Sequence, residues 1–187
     1  VTGLAVGGLP DGTVDDGTVA SGIASSKLTG ALPAISGASL TGFTDAQMPA
    51  GSVLQVVQKV ETARSIVSST SFVATNKTQT ITPSSTSSKI LVFCNYNIND
   101  NTTSDVTFYT TIYRGSTNIG HSTFGIAKLR ATNTRMETSH TIMYLDSPAS
   151  TSEQTYTLYA RGTTTDSVEF PGNPGQHNTI TLMEIAG

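Results

Sequence analysis

The feature that most constrains this chain is a series of eight short runs in which Val, Ile, Thr, Tyr and Phe dominate, each soon broken by Gly, Pro, Asn, Asp or Ser. β-Branched and aromatic residues suit the pleated, half-buried surface of a sheet, and the breakers supply the turns between strands. The runs cover residues 52–60, 71–75, 78–82, 89–98, 105–114, 135–145, 154–162 and 178–185. No amphipathic helix is legible between them, so the expected class is all-β, a jelly-roll β-sandwich. Only "GIAKLRA", Gly125 to Ala131, has the composition of a helical turn.

Period-two alternation marks the core. In 154–162, Tyr156, Leu158 and Ala160 share one face, while Thr155, Thr157 and Tyr159 share the other. In 178–185 both faces are apolar, Ile180 and Leu182 on one and Met183 and Ile185 on the other. A strand of an antiparallel sandwich needs one buried face, so the second implies cover by another subunit. Tyr156, Leu158, Leu182, Met183 and Ile185 are therefore the expected core and subunit-packing residues. Charge is sparse at 12% of residues, against a usual value of about 25%, while Ser and Thr together reach about 29%. Such a surface suits like subunits around an axis, where any buried charge would meet its own copies.

Before about Ala50 the chain has another character. Phe43 is its one aromatic residue, Gly recurs every few positions, and "GTVDD" with "GTVAS", then Leu-Thr-Gly at Leu28 and Leu40, form local repeats. We expect 1–49 to be an extended, turn-rich stalk and 50–187 to be the head domain. The stretch "LTGALPAISGASLTG" has too little apolar area to order its own backbone. Several chains winding together would bury Leu28, Leu32, Ile35 and Leu40 along a shared axis; the alternative is a flexible Gly/Ser linker.

Several function classes drop out on residue chemistry. A net charge of -3 provides no basic stripe, so neither nucleic acid nor an anionic membrane is an expected partner. No apolar run approaches the roughly 20 residues of a membrane-spanning helix, so no membrane insertion is expected. The single cysteine, Cys94, rules out an intrachain disulfide and lies in the strand-like "KILVFCNY", where a buried, inert thiol is expected. His121, His140 and His177 are far apart with no ligand spacing, so no metal and no cofactor is expected within one chain. There is no GxSxG nucleophile motif. Asp146, Glu153, Asp166 and Glu169 read as solvated loop charges, and a chain without tryptophan makes glycoside hydrolysis a poor reading. The expectation is a protein that is not an enzyme. "NINDNTTSD", Asn97 to Asp105, lacks the order of a calcium loop and reads as an Asn- and Asp-stabilised turn.

"LPAISGASLTG" (32–42), "MPAGSVLQVVQ" (48–58), "ITPSSTSSKILVF" (81–93), "YRGSTNIG" (113–120) and the terminal "TLMEIAG" (181–187) resemble, in order and combination, the C-terminal part of phage tail-fibre proteins. The resemblance implies a homotrimer: a shaft of turn-rich repeats carrying a jelly-roll head of the tumour-necrosis-factor and complement C1q type. It implies a virion component, with the head attaching to a glycan or protein of the host surface and the N-terminal segment meeting other virion proteins. The shortness of the segment before the head favours, as an alternative, a capsid decoration or head-fibre protein, and a polysaccharide-degrading spike is a third reading. The polar stretches 97–104 and 171–176 are expected to be exposed loops, with Asn99, Asn101, Asn173 and Gln176 as receptor contacts.

Overall fold

The computed structural model describes residues 47–100, 104–132, 135–170 and 176–187, all within the second of the chain's two units, Phe43–Gly187. The stalk residues Leu28, Leu32, Ile35 and Leu40 lie outside the described residues, as do Asn101 and Asn173. The described strands are β1 (Val53–Glu61), β2 (Ser65–Val67), β3 (Val73–Ile81), β4 (Lys89–Asp100), β5 (Val106–Arg114) and β6 (Thr117–Asn118). They continue with β7 (Ala127–Ala131), β8 (Met136–Asp146), β9 (Gln154–Gly162), β10 (Val168–Phe170) and β11 (Asn178–Ile185).

These strands make two antiparallel sheets. In the first, β4 is central: β8 lies along one side, while β11 covers Lys89–Asn95 of the other side and β10 continues at Asn99 and Asp100. β1 extends this sheet beyond β11, and β2 extends it beyond β10. The second sheet runs β3-β9-β5, with β7 and the short β6 sharing the far side of β5. Taking the longer strands in chain order, β1 pairs with β11, β3 with β9, β4 with β8 and β5 with β7, so the pairings nest inside one another. The result is an all-β, sandwich-like fold.

Alternation decides which side chains go inside. Ile90, Val92, Cys94, Tyr96 and Ile98 of β4 face inward with Ile180 and Leu182 of β11, and meet Phe108, Ile112, Tyr156, Leu158 and Ala160 of the second sheet. Tyr156, Leu158 and Leu182 are wholly buried, each leucine contributing about 2–3 kcal/mol of apolar burial. Met183 and Ile185 occupy the opposite face of β11 and are half-buried.

Local expectations are corrected in four places. Residues 125–131 are not helical, because Ala127–Ala131 pair with Val106–Thr110 and tertiary pairing overrides the helix preference of Ala, Lys, Leu and Arg. The runs 71–75 and 78–82 are one strand, β3, whose register shifts between Ala74 and Thr78 as in a bulge. Residues 97–100 are not loop: β4 continues to Asp100 because β8 pairs with it on one side and β10 on the other. Asn99 is thereby 2% exposed rather than presented on a loop tip. Asp146 and Glu169 are not solvated loop charges, since Asp146 ends β8, Glu169 sits in β10, and both are buried.

Candidate functional site

Three surfaces hold the chemistry. The first is a polar cleft of about 290 Å³ beside β4 and β8, lined by Asn97, Asn99, Glu137, Thr138, Ser139 and Gln176. Two of the expected contact residues, Asn99 and Gln176, therefore meet at one place. The amides and hydroxyls of this cleft are largely occupied with each other. Asn97 donates through Nδ2 to the His177 carbonyl (3.0 Å), its Oδ1 accepts from Ser139 Oγ (2.6 Å), and its backbone N–H donates to Asn178 Oδ1 (2.6 Å). Glu137 is paired with Arg135 at 3.3 Å. The network fastens the end of β11 to β4 and β8, leaving few groups to grip a ligand.

The second surface is the outer face of the first sheet. Register places Val56, Met183, Leu91 and Leu145 in one row across β1, β11, β4 and β8, and Gln58, Thr181, Phe93 and Met143 in the next. Val56 is 53% exposed, Phe93 38%, Met143 59% and Leu145 49%. The first row is apolar throughout and the second ends in Phe93 and Met143, and an exposed apolar patch of this kind on a sheet face is what a partner surface looks like.

The third surface, on the outer face of the second sheet, was not legible in the sequence. Tyr113 of β5 stacks on Tyr159 of β9 with ring centroids 3.8 Å apart at 19°, and Phe72 meets Tyr113 edge-on at 6.4 Å. Arg161 of β9 places its guanidinium 4.7 Å over the ring of Tyr109 and 5.5 Å from that of Phe72. The same guanidinium donates from Nε (2.9 Å) and Nη2 (2.5 Å) to the Thr123 carbonyl and from Nη1 to the Thr70 carbonyl (3.2 Å), pinning two turns to the sheet.

The 121–125 turn is tightly built. His121 Nδ1 accepts the N–H groups of Thr123 and Phe124, both at 3.1 Å. Gly125 closes the turn at φ +64°, where a Cβ would lie 2.4 Å from the Thr110 carbonyl oxygen, so only glycine fits. This turn holds Phe124 up at 56% exposure, stacked on His121 at 5.0 Å and 5.7 Å from Tyr109. Between it and the 70–72 turn lies an open cleft of about 390 Å³ lined by Thr70, Ser71, Phe72, Tyr113, Thr123 and Arg161.

The remaining candidates are structural. Burial pushes the Cys94 thiol up to about 12, which keeps it protonated and unreactive. His140 lies against Tyr96, its Nδ1 3.2 Å from the phenol oxygen. Among the described residues no group of three or more His, Cys, Asp or Glu side chains is arranged to hold a metal ion. No helix among them is long and apolar enough to cross a membrane. No family model and no curated protein matches the chain.

Proposed function

We propose that the chain is a non-enzymatic virion protein of a phage, the receptor-binding end of a tail fibre, in which three copies of a jelly-roll head sit on a short stalk. The nested pairing of β1 with β11, β3 with β9, β4 with β8 and β5 with β7 supports the jelly-roll reading, because a ribbon of paired strands rolled into two sheets gives that order. The observation that carries the assembly is the apolar outer face of the first sheet, where Phe93, Met143 and Leu145 are exposed together and Leu91 and Met183 lead across to an exposed Val56. Neighbouring copies would cover these rows and give Met183 and Ile185 the second buried face their strand pattern calls for. With that wall used for assembly, the second sheet's outer face and its turns are left for the host.

Labelled protein should bind the surface of the host bacterium and slow adsorption of the parent phage by occupying its receptors. Protein that neither binds host cells nor competes with the phage, while antibody against it decorates capsids of intact particles, would replace this reading with capsid decoration.

A further inference from the structure

We propose that the cleft between the 70–72 and 122–124 turns binds an acidic saccharide, with a sugar ring laid against Phe72 and Tyr113 and its carboxylate held by Arg161. This rests on the receptor-binding reading and names the chemistry of the receptor.

The cleft lies within the range of ligand pockets, about 300–1,000 Å³. Its walls combine aromatic faces with the hydroxyls of Thr70, Ser71 and Thr123. The C–H faces of a pyranose are apolar and lie flat on aromatic rings, while its hydroxyls need nearby donors and acceptors, so this mixture fits a sugar better than a purely apolar ligand. Phe72 and Tyr113 supply the aromatic wall, meeting edge-on at 6.4 Å.

Charge selects the acidic sugar. A guanidinium has five N–H donors, and Arg161 uses three of them on the Thr123 and Thr70 carbonyls. Two N–H groups remain, the number a carboxylate accepts. Neither acceptor carries a charge, so the arginine stays electrostatically uncompensated. Register puts Arg161, Tyr109 and Lys128 in one row across β9, β5 and β7, so an exposed lysine adds a second positive charge further along the same face. Toward Tyr113 the outward positions of the next rows are Thr111, Tyr159 and Ala74, then Tyr113, Thr157 and Thr78, with no carboxylate among them, while in the row on the other side Arg130 beside Thr107 is matched by Asp105 at 3.5 Å. In a chain of net charge -3, this face is a local positive field.

The test is a titration of the full chain with a panel of hexuronate- and nonulosonate-containing oligosaccharides, each paired with its carboxyl-reduced counterpart. We expect at least one acidic member to bind, with affinity falling about tenfold or more on carboxyl reduction. Phe72→Ala should lose a similar factor while its far-ultraviolet circular dichroism stays that of wild type, and Lys128→Gln, at an exposed position, should weaken binding of the acidic form alone. Equal binding of the reduced sugars would overturn the carboxylate assignment, and undiminished binding by Phe72→Ala would overturn the cleft. If no panel member binds although the protein still adsorbs to host cells, the inference fails and the receptor-binding function stands. If adsorption is absent as well, both fall.

Discussion

Phe93 and Met143 stand opposite each other across the β4–β8 pair, and both side chains point into solvent. A cross-strand apolar pair on a sheet face normally stabilises by being covered. Here the pair adjoins the row Leu91, Leu145, Met183 and Val56, of which a lone copy half-covers Leu91 and Met183 and leaves Val56 and Leu145 exposed. Light scattering of purified protein should therefore give about three times 19.5 kDa. Met143→Asp should yield a monomer with unchanged far-ultraviolet circular dichroism, because the side chain is exposed within one copy and the strand does not need it. A wild-type monomer at micromolar concentration would end the trimer reading.

How much of this was legible follows from which physical signal each residue carried. Tyr156, Leu158 and Ala160 were read as a core face because period two is written directly into adjacent sequence. Met183 and Ile185 stood out because apolar residues continued on a face that should have been polar. The polar end of β4 carries a turn signal, since Asn and Asp favour turns locally, and only pairing with β8 and β10 on both sides holds them in a strand. β2 and β10, three residues each, are too short to show a period. The aromatic cleft was invisible for another reason. Phe72, Tyr109, Tyr113, Phe124 and Tyr159 are scattered along the chain, and cross-strand register alone brings them together. The one available hint was that Tyr159 lies on the supposedly polar face of its strand.

Asp146 ties the two sheets together. Its Oδ2 accepts from Arg114 Nη1 of β5 at 2.6 Å and from the Tyr156 hydroxyl of β9 at 2.8 Å. Burial, and then the neighbouring carboxylate, raise the Tyr156 phenol above its usual value, so it remains a donor at every ordinary pH. Asp146→Ala strands a half-buried cation and a buried hydroxyl, and should cost about 3 kcal/mol in urea unfolding. Glu137→Ala breaks the exposed pair with Arg135 and should cost less than about 1 kcal/mol. Equal costs would show that the Asp146 cluster is not a clamp between sheets.

Glu184 is wholly buried at the end of β11. Burial alone would raise its carboxyl, but the lowering effects of Ser84, Gln55 and Ser88 outweigh it and hold the group below the usual carboxylate value. Oε1 accepts both the N–H (2.7 Å) and the hydroxyl (2.6 Å) of Ser84, and Oε2 accepts from Gln55 Nε2 (2.6 Å). A depressed folded-state value means that this stability is present above the unfolded carboxyl's value of 4.5 and is lost as pH falls through the lower folded value. Glu184→Gln turns a donor toward Gln55 and should cost about 1–3 kcal/mol at pH 7. Its acid-unfolding profile below about pH 4.5 should be flatter than that of wild type. Parallel profiles would show that another group governs acid unfolding.

Lys77 is the last titration to follow, because it is wholly buried and no carboxylate among the described residues is bonded to its ammonium. Nζ donates to the Phe170 carbonyl of β10, to Asn76 Oδ1 at 2.6 Å and to the Ala63 carbonyl at 3.4 Å, and lies 5.8 Å from the Phe170 ring centroid. Desolvation lowers its pKa from 10.5 to about 8; Glu61 and Cys94 push the other way, and Lys59 adds to the lowering. Between those two values the unfolded chain binds more protons than the folded one, so stability rises with pH across that window. Tyr96 and Tyr156, both held protonated by burial, act in the opposite sense, but only above about pH 10. The buried Cys94 thiol, pushed up from 9.0 to about 12, acts in that same opposite sense from about pH 8 upward, so only the difference between wild type and Lys77→Met isolates the lysine, and from about pH 7.5 to 9.5 wild type should gain about 1–2 kcal/mol relative to that mutant. The mutant should be less stable throughout, since the Phe170 and Ala63 carbonyls lose their donor. If the difference between the two proteins stays constant across this range, the ammonium keeps an ordinary affinity for its proton and the carbonyl cage compensates its burial in full.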